Sequence, residues 1–151
     1  MSKKSYTVVL NSTNKISSGA SLSDCRFGMN WGILPDGEYE VHFTFISKVM
    51  NLSTTDIACI NVNLGSSNVF QAGANTSANT LNFIGIAKPY LISTSAYLLS
   101  EEDTNPHVFL NARPRDNYID VIINANDNVT LFAPTTGSML DWVLQLQFIQ
   151  K

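Results

Sequence analysis

The stretch Glu38-Tyr-Glu-Val-His-Phe-Thr-Phe45 alternates polar and apolar side chains without a break. Its apolar members fall at every second position, and charged or polar residues fill the positions between them. Successive side chains of a β-strand point to opposite faces, so this pattern predicts a strand with one buried and one solvated face. Leu34-Pro-Asp-Gly37 stands just before it. Proline fixes φ and glycine accepts a positive φ, so these four residues predict a turn into the strand.

The same alternation continues for longer near the C-terminus, from Met139 to Ile149. One face of this segment would carry five large apolar side chains, more than any other segment: Leu140, Trp142, Leu144, Leu146 and Phe148. We therefore predict that this strand is central to the core. We also expect its apolar face to meet the Tyr39–Phe45 stripe from the opposite sheet of a sandwich.

Shorter segments of strand character fill the rest of the chain and are separated by turn-forming or small polar residues. They are Tyr6–Leu10, Cys25–Trp31, Ala58–Leu64, Leu81–Ile86, Tyr90–Leu99, Val108–Leu110, Tyr118–Ile123 and Val129–Phe132. Neither a linker nor an internal repeat divides them. A parallel sheet would require continuous apolar runs and crossover helices. The pattern instead predicts one all-β domain over residues 1–151, an antiparallel two-sheet sandwich of Greek-key or jelly-roll type.

Composition narrows the classes of function. Charged residues make up 14% of the chain, whereas soluble domains average about 25%. The sequence instead contains 16 Asn, 16 Ser and 12 Thr, which favours a surface packed against other proteins. The net charge is −3, and the closest basic pairs are Lys3–Lys4 and Arg113–Arg115. We expect no nucleic-acid binding, because such binding requires a basic face.

Hydropathy gives two further expectations. The chain has no run near the roughly 20 apolar residues of a membrane span, so we expect no direct membrane insertion. The first ten residues lack the apolar stretch of a secretory signal, so we expect no signal peptide.

Cys25 and Cys59 are isolated and lie among apolar neighbours. We therefore predict two reduced, buried thiols.

Several residues have side chains of the types that form catalytic or metal-binding sites. His42 and His107 have no HxH or HExxH spacing and are interpreted as solvent or interface residues. Glu38 and Glu40 share a strand face, where solvated charges are favoured over a glycosidase pair. The Glu101-Glu-Asp103 run lacks the spacing of a calcium loop. A serine–histidine–aspartate triad stays open, since triads assemble in space, but no GxSxG elbow supports one.

Trp31 and Trp142 alternate with core candidates, so we predict that they pack in the core rather than form a sugar-stacking platform. Taken together, the residues support no catalytic, cofactor-binding or metal-binding assignment. We expect a protein that is not an enzyme and needs no cofactor.

Four stretches resemble a known family when taken together. They are Tyr6–Ile16, Trp31–Phe45, Asn105–Pro114 with Ile119-Asp-Val121, and Asp141–Phe148. In this order and spacing they are similar to the small single jelly-roll proteins of large nucleocytoplasmic DNA viruses, which are minor capsid or penton-like components. The likeness covers nearly the whole chain but consists of strand patterns and turn prolines, so no residue inherits a catalytic role.

The resemblance implies a single jelly-roll antiparallel β-sandwich, with about eight strands in two sheets. It also implies a structural protein of the virion capsid, assembled in the host cell cytoplasm. Its partners would be the double jelly-roll major capsid protein and other minor capsid proteins. Self-association into a homo-oligomer, with a pentamer as one arrangement, is expected as well. The alternative is a carbohydrate- or receptor-binding sandwich, and fold alone does not choose between the two.

Overall fold

Ten β-strands and two short 3₁₀ turns make up the regular structure of the residues that can be described. The computed structural model describes residues 3–19, 21–49, 57–65, 68–69, 82–92, 95–101, 105–133 and 139–151. The strands are β1 (Ser5–Asn11), β2 (Ser17–Ser18), β3 (Asp24–Gly28), β4 (Tyr39–Val49), β5 (Ala58–Val62), β6 (Phe83–Ile92), β7 (Ser95–Leu99), β8 (Val108–Leu110), β9 (Tyr118–Asn124) and β10 (Met139–Gln150). The 3₁₀ turns cover Ser12–Asn14 and Trp31–Ile33. No helix among these residues has the length and hydropathy to cross a membrane.

The strands form the two sheets of a jelly roll. The first sheet has the order β1-β10-β4-β7, and short β8 also pairs with β4. The second sheet has the order β6-β5-β9-β3-β2. The long strand β6 belongs to both sheets, because its first half pairs with β5 and its second half with β7. Every pair is antiparallel. The predicted all-β sandwich is confirmed, with eight main strands and two very short ones.

The core lies between the inward faces of the two sheets. Trp142 on β10 makes an edge-to-face contact with Phe27 on β3, with ring centroids 5.8 Å apart. Trp31 contacts Phe148 in the same way at 5.4 Å. Both tryptophans are buried, as predicted. Such pairs add about 0.5–1.5 kcal/mol each to the effect of burying the rings. The aromatic side chains therefore join β10 to the opposite half of the molecule.

The position of the Tyr39–Phe45 stripe differs from the prediction. β4 lies beside β10 in the first sheet, with Phe45 opposite Leu144 and Phe43 opposite Leu146. The two apolar stripes are therefore lateral neighbours rather than partners across the sandwich. The reason is topological, since the jelly roll inserts the last strand between β1 and β4. The opposite sheet supplies Phe27 instead.

Three predicted segment boundaries also change. β6 runs continuously from Phe83 to Ile92, where a break was predicted, and a separate strand β7 begins at Ser95. Leu81 and residues 93–94 lie outside the described residues. Trp31 begins a 3₁₀ turn because the Asn30 side chain accepts a hydrogen bond from Gly32 N–H at 3.0 Å. The segment Val129–Phe132 forms only one isolated bridge, because Asp127 accepts hydrogen bonds from the backbone N–H groups that follow it.

Cys25 and Cys59 are both free and buried, as predicted. Their strands, β3 and β5, flank β9 on opposite sides. Across β9, Cys25 is level with Val62, three residues along β5 from Cys59, so the two cysteines are farther apart than two strand spacings of about 9–10 Å and beyond the reach of a disulfide.

This environment predicts low thiol reactivity. Burial raises the pKa of Cys25 and of Cys59 to about 11, so neither forms the reactive thiolate at neutral pH. A thiol-specific colour reagent should react slowly with native protein and count two thiols after unfolding without reductant. A count of zero in the unfolded, unreduced protein would mean that the cysteines are paired.

Candidate functional site

The strands of the first sheet present a regular outward side, and we call it the outer face. Its side chains lie in cross-strand rows set by the antiparallel register. The rows are Ser5, Ile149, Glu40 and Phe109; Thr7, Gln147 and His42; Val9, Gln145 and Thr44; and Asn11, Val143, Ile46 and Leu99.

The middle of the outer face is uncharged and partly apolar. Val143, Ile46 and Leu99 are consecutive in their row, and Val9 lies diagonally next to Val143. Val9 is 59% exposed and Ile46 is 45% exposed. Charges lie around this row rather than within it: Lys88 of β6 is opposite Leu99 at one end, and the exposed Asp141 is two residues from Val143 on β10. A short apolar row with charges at its margin is a surface suited to contact with another protein.

A shallow polar depression of about 250 Å³ opens on the outer face. Its lining residues are His42, Phe43, Thr44, Ser100, Gln145 and Gln147. Ser100 is held against β4 because its hydroxyl accepts a hydrogen bond from Phe45 N–H at 2.7 Å. The lining offers amide, hydroxyl and imidazole groups, and its phenylalanine, Phe43, is buried and so presents little ring surface for sugar stacking.

Beside this depression, one carboxylate and two imidazoles come together, and we call them the Glu40 cluster. His42 Nε2 lies 2.8 Å from Glu40 Oε1, and His107 Nδ1 lies 2.7 Å from the same oxygen. The two imidazole rings stack with centroids 3.7 Å apart and planes 21° from parallel. A carboxylate only accepts hydrogen bonds, so both ring nitrogens donate to it.

These contacts affect the ionisation of Glu40. The hydrogen bond from His42 and the nearby His107 lower the pKa of the Glu40 carboxyl below its ordinary value, despite partial burial, which acts in the opposite direction. Glu40 is therefore ionised at neutral pH, with two donors on one oxygen. The interpretation of Glu40 as a simple solvated charge does not describe this arrangement, whereas Glu38 is exposed.

Pairing between β4 and β8 brings the cluster together. Glu40 and His42 share the outward face of β4, and Val41 is opposite Val108, next to His107. The Asn68 side chain fixes the backbone around His107. Its amide donates to the His107 carbonyl at 2.8 Å, and its oxygen accepts from Phe109 N–H at 2.6 Å. The Asn68 side chain thus makes the donor and acceptor hydrogen bonds that a neighbouring strand would make, and these position the backbone of His107.

Sequence reasoning missed the Glu40 cluster because its members are distant in the chain. Spacing rules test residues on one strand or helix, and His107 reaches His42 only through the pairing of β8 with β4. The single local signal was the Glu40–His42 spacing of two, which places both side chains on one strand face. Of the Glu101-Glu-Asp103 run, Glu101 is exposed, and residues 102–104 lie outside the described residues.

The fold and this surface together define an all-β jelly-roll protein with a weakly charged outer sheet face. The chain matches no protein-family model. No curated protein matches it at a significant level.

Proposed function

We propose that this protein is a structural virion protein, a single jelly-roll minor capsid or penton component of a large icosahedral DNA virus. It acts by protein–protein packing in the shell and carries out no chemical reaction. The observation that carries the proposal is the apolar row Val143–Ile46–Leu99 on the outer face, in which Ile46 is exposed and Val143 and Leu99 are half-buried. Another copy of this chain is the partner that we assign to this row.

Physical considerations support packing as the role. The centres of protein interfaces are depleted in charge, and Val143, Ile46 and Leu99, with the adjacent row of Val9, Gln145 and Thr44, are uncharged up to Lys88 at the β6 end. Low net charge, here −3, also reduces repulsion between copies. The same composition suits contact with a double jelly-roll major capsid protein and with other minor capsid proteins, which we include as partners. The site of action would be the capsid, after assembly in the host cytoplasm.

The second candidate, a carbohydrate- or receptor-binding module, has less support from the side chains. Trp31 and Trp142 are 4% and 1% exposed, so neither offers a stacking surface. Of the three exposed aromatic rings among the described residues, Phe109 and Tyr118 are covered in part by Lys151 and Arg26, which leaves Tyr90, 50% exposed, as the ring that a sugar could stack on. Reproducible sugar binding on a glycan array, at millimolar affinity or better, would favour this candidate over the virion role.

We predict that a charged substitution of Ile46 disrupts assembly, whereas the same substitution of another exposed isoleucine, Ile33, does not. The wild-type protein should form a homo-oligomer in solution, and Ile46→Lys should shift it to monomer, because the substitution places a charge in the middle of the apolar row. Light scattering coupled to size-exclusion chromatography measures the change. Far-UV circular dichroism should remain that of a folded β protein.

Ile33→Lys is the matched control, because Ile33 is 61% exposed and lies in the Trp31–Ile33 turn, away from the outer face. It should leave the oligomer intact. A pentamer would favour a position at the fivefold vertex. A wild-type protein that is monomeric at every concentration, or equal responses to both substitutions, would contradict assembly of copies through the outer face.

A further inference from the structure

We propose that the Glu40 cluster is a binding site for a divalent transition-metal ion, with Zn²⁺ the ion that suits it best. Glu40, His42 and His107 each offer one ligand atom, and the three atoms lie within 4.8 Å of one another. This inference is independent of the capsid role, since it depends on the cluster and not on the apolar row of the outer face.

The set of ligand atoms determines which ion fits. Two imidazole nitrogens and one carboxylate oxygen form a common three-residue zinc site that keeps a fourth position open. Calcium and magnesium prefer shells made of oxygen atoms, so two imidazoles disfavour them. Ni²⁺ and Cu²⁺ also bind imidazole, and affinity for such sites generally rises toward Cu²⁺. The site should therefore discriminate transition metals from alkaline-earth ions.

The three ligand atoms are already close together, but the two rings must turn out of their stack to accept the ion, because a bound metal lies in the plane of each imidazole and these planes are only 21° from parallel. Both ring nitrogens already point at Glu40 Oε1, from 2.8 Å for His42 and 2.7 Å for His107. With metal–ligand bonds near 2.0–2.1 Å, tetrahedral ligand atoms lie roughly 3.3 Å from one another. Each nitrogen therefore has to move away from the oxygen by about half an ångström, in addition to the turn of its ring.

Binding exchanges protons in a defined way. A metal-bound imidazole nitrogen carries no proton, so the hydrogen that each ring now donates to Glu40 must leave that nitrogen. Solvent can return a proton to the other nitrogen of the same ring, which leaves each histidine neutral. The ion then replaces two hydrogen bonds with three coordinate bonds. The histidine side chains should report this change of tautomer directly.

The surroundings hold the ligands in place while leaving one side open. Glu40 and His42 are fixed by the β4 backbone, and Asn68 holds the chain on both sides of Val108, directly after His107. The side chains of Glu40, His42 and His107 are 22%, 23% and 39% exposed, respectively. Water can reach a fourth coordination position from the solvent side. The ion would tie β4 to the segment that enters β8.

Two variants test the site against a matched control. Wild-type protein should bind one Zn²⁺ per chain in titration calorimetry. Glu40→Gln keeps the shape of the side chain but removes its charge, and His107→Phe keeps a stacked ring but removes the nitrogen. Each should weaken binding by more than about tenfold, the lower end of what loss of a supporting residue alone can cause. Glu38→Gln removes an exposed carboxylate two residues away and should bind as the wild type does.

NMR of the wild-type protein tests the site even if the variants fail to fold. The chain has only two histidines, so its imidazole NMR signals belong to His42 and His107. Both sets should shift on addition of Zn²⁺, with stoichiometry of one, and Ca²⁺ should shift neither. Cobalt substitution should give the intense visible absorption of a four-coordinate centre. Absence of Zn²⁺ binding, unchanged imidazole signals, or full binding by Glu40→Gln would each overturn the proposal.

Discussion

Trp142→Ala is expected to destabilise the protein by about 3–5 kcal/mol, the usual cost of truncating a buried aromatic side chain. Trp142 is 1% exposed and contacts Phe27 of the opposite sheet. Its indole N–H also donates a hydrogen bond to the Leu22 carbonyl at 2.7 Å. The substitution therefore leaves a cavity and removes the donor of a polar contact. A domain of this size has a total stability of only about 5–15 kcal/mol, so the urea unfolding midpoint should fall severely or soluble expression should be lost.

Gln145→Ala is the control on the same strand. Gln145 is exposed on the outer face, and its substitution should change stability by no more than about 0.5 kcal/mol. Equal losses from the two substitutions would mean that the faces of β10 are misassigned. If Gln145→Ala kept its stability but failed to assemble with its capsid partner, the outer face would be an interface, as we propose.

Gly85→Ala is expected to have the second large effect, about 1–3 kcal/mol of destabilisation or more from overpacking. A β-carbon at this position would lie 2.5 Å from Asn105 Oδ1 and 2.6 Å from Phe43 Cζ. Neither neighbour can retreat easily. Asn105 is held by hydrogen bonds with both the N–H and the carbonyl of Ile86, at 2.8 and 2.9 Å, and Phe43 is buried in the core. Chemical denaturation of both proteins measures the difference.

Gly28→Ala provides the comparison for that experiment. A β-carbon there would meet only Ile16 Cδ1 within 4 Å, at 3.1 Å. This atom is the far end of a side chain that is 69% exposed, so it can move aside. The Gly28 variant should therefore stay close to wild-type stability. Similar losses at both glycines would show that the close packing around Gly85 is not what requires glycine there.

The Glu40 cluster shows why a site can escape analysis of the sequence. Glu40 and His42 could be placed on one face of β4, because that relation follows from a spacing of two. The contact of His107 with this pair could not be predicted. Its position depends on the pairing of β8 with β4 and on the hydrogen bond that the Asn68 side chain donates to the His107 carbonyl. The neutral composition did indicate a surface suited to packing. Only the cross-strand register showed that Val143, Ile46 and Leu99 form one row.

The sequence by itself determined most of the strands, β4 and β10 above all, and the faces that these two bury. Alternation with period two is a local property, so Trp142 and Phe45 could be assigned to the core, and Gln145 to the surface, before any pairing was known. Only the tertiary structure decided which strands are neighbours. Alternation tells which side of a strand is apolar but carries no information about the strand beside it. Long-range pairing therefore placed β4 next to β10 in one sheet and carried β6 from one sheet to the other.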